Sequence, residues 1–246
     1  MLFRSAHVPY GNKSNAEIKA LVTSAARRMK EQKIDALVMA CNTAAAVAIE
    51  EVQIIMGLIP VLGVVEAGVE TVLRELKAMS AKQSTPTLVL ATKATVKSAV
   101  YSNILKKKRG QDFYVIEQDC PLLVSMIEEG CIDDKILRLT LAQYLAPYID
   151  LEPGICLLGC THYPWIKSSI ENILPKWKIL DSSVVLSEKL LTRMINFQNN
   201  ENHQGSTVYM FTDPNAIPAF VQASVKDYLI YDLPEFEPSF AISTEV

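Results

Sequence analysis

The stretch that decides the fold is IDALVMACNTAAAVAIEEVQ, residues 34–53. IDALVMA is a short apolar run, rich enough to be a strand buried on both faces, and the alanines and glutamates after the cysteine favour helix. Strand, cysteine turn, helix is the unit that reads out of it. The same unit recurs at GICLLGCTHYPWIKSSIENIL, residues 154–174, where Cys160 occupies the place of Cys41. Between and around these two copies, strand-like and helix-like runs alternate: VLGVV then VETVLRELKAM, TLVLAT then VKSAVYSNILKKK, DFYVIEQ then PLLVSMIEEG, and, after KILRLTLAQYLAPYI and GICLLG, WKILDSS then SEKLLTRMINF. Such alternation predicts an α/β fold with largely parallel sheets.

Upstream, Ser14 and Glu17 form a capping-box pattern. Ile18, Leu21, Val22, Ala25 and Met29 then repeat at helical spacing, which predicts a helix over residues 15–31. Before it stands VPYG, a loop that ordinarily follows a strand, and no strand is legible in MLFRSAH. Downstream, QNNENHQGS reads as a surface loop, TVYMF as a last strand and NAIPAFVQASVKDY as a last helix.

The 246 residues, half of them hydrophobic, suffice for one large domain or two modest ones. A formal charge of −3 without a basic stripe argues against a dedicated nucleic-acid or membrane-surface role and leaves small polar ligands. The most apolar run is too short to span a bilayer. Five cysteines, an odd number without metal-site spacing, indicate free thiols in a reducing compartment, with the cytosol as default.

In an open parallel sheet, ligands bind at the carboxyl ends of strands, where helix N-termini offer unpaired N–H groups. Cys41 and Cys160 both fall there. A helix N-terminus lowers a thiol's pKa from about 8.5 and holds a carboxylate, which suits an acidic substrate. Asn42 and Thr43 follow one cysteine, Thr161 and His162 the other, so two similar half-sites could face one ligand. A free cysteine is more often a small buried hydrophobe, and Cys120, Cys131 and Cys156 are read so. His7 and His203 have no metal-like partner in sequence and read as ordinary surface residues.

MACNTA and LGCTHYP, with VPYG upstream and ATKATV and CPLLVSMIEEG between them, resemble the bacterial glutamate racemases of the aspartate/glutamate racemase superfamily. The match runs in order over nearly the whole chain, and His162 after Cys-Thr, where aspartate racemases tend to carry an acidic residue, favours glutamate. The resemblance implies two flavodoxin-like α/β domains facing across a cleft, the first from residues 1–68 and 188–246 and the second from 69–187. It also implies interconversion of L-glutamate and D-glutamate for peptidoglycan synthesis, without metal or other cofactor. Catalysis would rest on Cys41 as base toward D-glutamate, Cys160 as base toward L-glutamate, and His162 assisting Cys160. Tyr10, Gly11, Asn42, Thr43, Thr161 and His162 would contact substrate. Thr92 and Thr95 are weaker candidates for that role, and Glu128 a carboxylate behind His162 that reads as readily as a solvated charge. A homodimer is the candidate assembly.

Glutamate racemases begin with a strand ending in Asp-Ser-Gly and a second strand ending in a Gly-Asp-Thr-Ala-like turn. Here Ser5 and Ala6 alone match that turn, with Arg4 at the place of its aspartate. The sequence therefore reads as lacking about one strand-helix unit, with turnover by the chain as given expected to be weak. Two rival functions stay open: a racemase for aspartate or a related amino acid, and a catalytically silent homologue that binds a partner protein such as DNA gyrase.

Overall fold

The computed structural model describes residues 9–194 together with the two-residue strands β1 (Leu2–Phe3) and β8 (Met210–Phe211). Those two strands pair in parallel, Leu2 beside Met210 and Phe3 beside Phe211. A strand does precede the VPYG loop, contrary to the sequence reading. Two residues cannot display an alternation, and their partner lies some two hundred positions away. Of the expected last strand, Met210–Phe211 is described. The rest of it, the last helix, Ala6, His7 and His203 lie outside the described residues.

The first helix, α1 (Asn15–Glu31), has the bounds its capping box predicts: Glu17 N–H donates to Ser14 Oγ at 3.3 Å, and Ser14 N–H donates to the Glu17 carboxylate at 2.9 Å. Strand β2 (Leu37–Met39) leads into α2 (Asn42–Met56), and β3 (Val61–Gly63) pairs in parallel with β2. Helix α3 (Val64–Ala78) starts at once after β3, five residues before the expected VETVLRELKAM. A short run of valines cannot be assigned to strand or helix by periodicity, and here Gly63 is already the N-cap, with Glu66 in the first turn.

Four strands then form a parallel sheet in the order β5 (Val115–Asp119), β4 (Thr87–Ala91), β6 (Ile155–Gly159), β7 (Lys178–Leu180). Every residue of β4 and β6 is buried, as central strands covered on both faces must be. Their side chains alternate between two cores. Val89, Ala91, Ile155 and Leu157 face one core, which also holds Ile18 and Val22 of α1, Ala45, Ala48 and Val52 of α2, and Val65, Val69 and Val72 of α3. Leu88, Leu90, Cys156 and Leu158 face the other, built from α6 (Leu123–Glu128), α7 (Lys135–Leu145) and α8 (Lys167–Ile173).

The run read as one helix after TLVLAT is two, α4 (Lys93–Ser98) and α5 (Val100–Arg109), broken at Ala99, whose φ of 52° is left-handed. Helix α9 (Ser183–Met194) packs on α3 through Arg74, which bonds both Glu70 and Glu188 at 2.5 Å, and through Lys189, 2.7 Å from Glu70. The expected domain limits at 68/69 and 187/188 fall inside these two helices. No helix among the described residues is long and apolar enough to cross a membrane.

Candidate active site

The two cysteine turns end strands of different sheets. Cys41 follows β2 and is the N-cap of α2, with Asn42 and Thr43 buried in the first turn. Thr43 Oγ1 lies 2.8 Å from Thr92 Oγ1 and 3.3 Å from Thr95 Oγ1, and the last two are 3.1 Å apart. All three hydroxyls are buried, so the start of α2 is tied to the N-cap and first turn of α4 by a closed polar cluster. Gly11 sits against that cluster in the 3₁₀ turn Tyr10–Asn12. A Cβ at this position would lie 2.6 Å from Thr92 Cβ, so glycine is what lets the turn approach. Tyr10 packs, partly buried, on the first core.

Cys160 follows β6. The helix expected to start there is delayed: residues 160–162 form a turn, Tyr163–Ile166 is 3₁₀ with Pro164 at its start, and α8 begins at Lys167. Cys160 is 6% exposed, and its Sγ lies 3.9 Å from His162 Nδ1. The other ring nitrogen, Nε2, is 3.1 Å from Glu128 Oε1 on α6. Glu128, weighed in the sequence as a solvated charge, is thus joined to Cys160 through the imidazole. Thr161 is exposed.

Burial raises the pKa of both thiols, contrary to the expectation that helix ends would depress it. For Cys41 desolvation outweighs the N–H groups of Ala44 and Thr43 and the Thr43 hydroxyl. Cys160 is pushed up to about 12, first by desolvation and further by the charges of Cys41 and Glu128, against the N–H groups of His162 and Tyr163. The two thiols are therefore close enough to sense each other's charge, and ionising one disfavours ionising the other. Both thiols therefore rest protonated near neutral pH, and once one gives up its proton the other is held in its protonated form, so that one sulfur can accept a proton while the other gives one. All five cysteines are free. Cys156 is fully buried in the second core and Cys120 nearly so, while Cys131 is half-buried beside Asp134.

Parallel α/β sheets with a free thiol at the end of a strand in each are the frame of a class of enzyme that moves protons on small molecules. Residues 1–190 match the Asp/Glu/Hydantoin racemase family, and the chain belongs to it. It is 36% identical over 195 residues to a glutamate racemase of Sulfurihydrogenibium, covering 79% of this chain and 72% of that one. With the glutamate racemase of Persephonella marina it shares 41% identity over 179 residues, 73% of this chain and 66% of the relative. Among solved structures, the glutamate racemase of Francisella tularensis in complex with D-glutamate superposes with a TM-score of 0.81 at 32% identity, covering 95% of this chain and 84% of that one. That of Aquifex pyrophilus gives 0.71 at 33% identity, over 95% and 85%.

Proposed function

We propose that the chain interconverts L-glutamate and D-glutamate, with Cys41 and Cys160 exchanging the α-proton on opposite faces of the substrate carbon. The observation that carries this reading is the pair of thiols at strand ends, Cys41 partly buried and Cys160 buried, each feeling the other's charge and the second backed by His162 and Glu128. Racemisation without loss of the carbon skeleton needs one group to take the α-proton and another to return a proton on the far side. In the direction from L-glutamate, Cys160 is the base, and its proton exchange is assisted by the His162 imidazole, which Glu128 orients. Cys41 then delivers its proton from the other face. From D-glutamate the roles reverse.

Both thiols rest protonated, and the substrate's α-ammonium supplies the positive charge that favours a thiolate on arrival. Tyr10, Gly11, Asn42 and Thr43 form the substrate-binding group on the Cys41 side, with Thr161 and His162 on the Cys160 side. Thr92 and Thr95 act with Thr43 through their shared hydroxyl cluster. A division at 68/69 and 187/188 into two domains, a homodimeric assembly and a cytosolic location belong to the same proposal. Five free thiols suit a reducing compartment.

The test is circular dichroism of each enantiomer incubated with the protein in deuterated water. Loss of optical rotation with one deuterium gained at the α-carbon supports the reading, and Cys41→Ala and Cys160→Ala should each abolish it in both directions. Racemisation of aspartate in place of glutamate would transfer the chemistry to another substrate. Near-parental rates in either cysteine variant would overturn the two-thiol mechanism.

A further inference from the structure

The Tyr101 hydroxyl donates to Asn42 Oδ1, and neither residue is at the surface: Tyr101 is 0% exposed and Asn42 is 3% exposed. Asn42 immediately follows Cys41, whereas Tyr101 lies in the first turn of α5 and feels the charge of Cys160. Three features hold the phenol in place. Its ring sits in the first core beside Leu157. Gly68 of α3 makes room for the hydroxyl, since a Cβ there would stand 3.1 Å from the phenol oxygen. The start of α5 is pinned by Glu117 of β5, which accepts from the Ser102 hydroxyl at 2.7 Å.

An amide side chain has two states related by a half-turn, and they exchange its acceptor for its donors. If Nδ2 faced the phenol, the buried O–H would be left without an acceptor among the described residues, at the cost of an unsatisfied polar group. Burial and the surrounding negative charges raise the Tyr101 pKa, so the phenol stays a neutral donor. We propose that Tyr101 is a positioning residue that fixes the Asn42 amide in one flip state, with Oδ1 committed to the phenol and the N–H₂ group free to donate beside Cys41. The ligand group this serves is a carboxylate oxygen, the acceptor an amino-acid substrate offers. That kinetic consequence rests on the reading of Asn42 as a substrate contact, whereas the amide's orientation does not.

Two measurements test it. The first is the side-chain ¹H–¹⁵N signal of Asn42, identified by its absence from Asn42→Ala. In Tyr101→Phe this signal should shift and broaden or double, and Gly68→Ala, which crowds the hydroxyl without removing it, should move it in the same way. The second is the kinetic cycle of Asn42→Ala, Tyr101→Phe and the double variant with both enantiomers of glutamate. Tyr101→Phe should raise KM on the order of five- to twenty-fold, the loss of about one hydrogen bond, with kcat within about twofold of the parent. Added to Asn42→Ala, it should raise KM no further. An Asn42 signal indifferent to Tyr101→Phe, or equal KM increases in both backgrounds, would overturn the positioning role. A signal that responds in a protein that does not racemise glutamate would uphold the positioning role and overturn the proposed function.

Discussion

A thiol that works as a base must ionise, and at both Cys41 and Cys160 burial opposes it. Because the Cys160 pKa is pushed up to about 12 and that of Cys41 is also raised, the thiolate fraction grows across the whole accessible range. The kcat/KM for each enantiomer should therefore climb from about pH 7 to about pH 9 without the plateau that an ordinary cysteine near 8.5 would give. A plateau below pH 8 in a pH-rate profile would contradict this. The contact from Glu128 to His162 makes a second prediction. L- and D-glutamate have equal energy, so any lesion must lower kcat/KM equally in both directions. Glu128→Gln should do so by roughly ten- to a hundredfold, less than the roughly hundred- to ten-thousandfold worth of a group that itself transfers the proton, because Glu128 acts through His162. Its asymmetry should emerge in isotope effects: with Cys160 facing the L enantiomer, as proposed, α-deuterated L-glutamate is slowed more than α-deuterated D-glutamate. Equal isotope effects would detach Glu128 from Cys160. The placement of Cys41, Asn42, Thr43, Cys160 and His162 in turns after strand ends was legible because the apolar strand runs stop just before each cysteine. Tyr101 was not, since a lone aromatic on an apolar helix reads as packing and its partner lies 59 residues away in the chain. The direction of Thr161 was likewise invisible, for adjacency to a cysteine does not determine which way a turn residue points.

Elements whose ends are set by local side chains could be placed from sequence to the residue, and α1 between its Ser14 cap and Glu31 is the clearest case. Ends set by tertiary contacts could not. The break at Ala99 has no glycine to announce it, and the backbone there is held left-handed while α5 is anchored by Glu117 of the strand that follows it, β5. That carboxylate carries a cost. Desolvation raises its pKa, against the Ser102 hydroxyl and the N–H groups of Ser102 and Tyr101, and its Oε1 is buried without a hydrogen-bond partner among the described residues. A carboxyl whose folded pKa lies above its unfolded value binds its proton more tightly in the folded state. Stability from this group is therefore present at low pH and lost as pH rises through the folded pKa. Glu117→Gln removes that loss while keeping an acceptor for Ser102. Thermal unfolding should place the variant's Tm further above the parent's at pH 8 than at pH 5. A larger gain at pH 5 would show that the charged form is the one the fold favours. The start of α1 offers a simpler check: Ser14→Ala should cost about 1 kcal/mol in denaturant unfolding, with α1 otherwise intact.

At the scale of the whole molecule, alternating strand and helix runs made a parallel α/β fold legible, but not how the sheets share their packing. Periodicity tells which face of a strand is apolar and nothing about what lies opposite. The two-stranded β2–β3 sheet and the four-stranded sheet do not hydrogen-bond to each other, which by itself would suggest independent units. Their apolar faces argue otherwise. One core runs without interruption from Ile18 and Ala48 through Val69 of α3 to Val89 and Leu157 of the larger sheet, and the Thr43, Thr92 and Thr95 hydroxyls close the same junction with hydrogen bonds. Neither face can be exposed without exposing the other, so the two sheets should unfold in one transition. The chain provides a built-in comparison. Its two tryptophans flank α8, Trp177 buried in the second core and Trp165 exposed, so the fluorescence change of Trp177 reports the four-stranded sheet while far-ultraviolet circular dichroism reports all helices. Urea curves from the two probes should coincide in midpoint and slope. Leu157→Ala on the shared face should shift both curves together by the roughly 2–5 kcal/mol such a truncation costs. A dichroism curve that divides into two steps, with fluorescence following one of them, would mean that the sheets are energetically separate and that the cysteine turns are held in register by something other than this core.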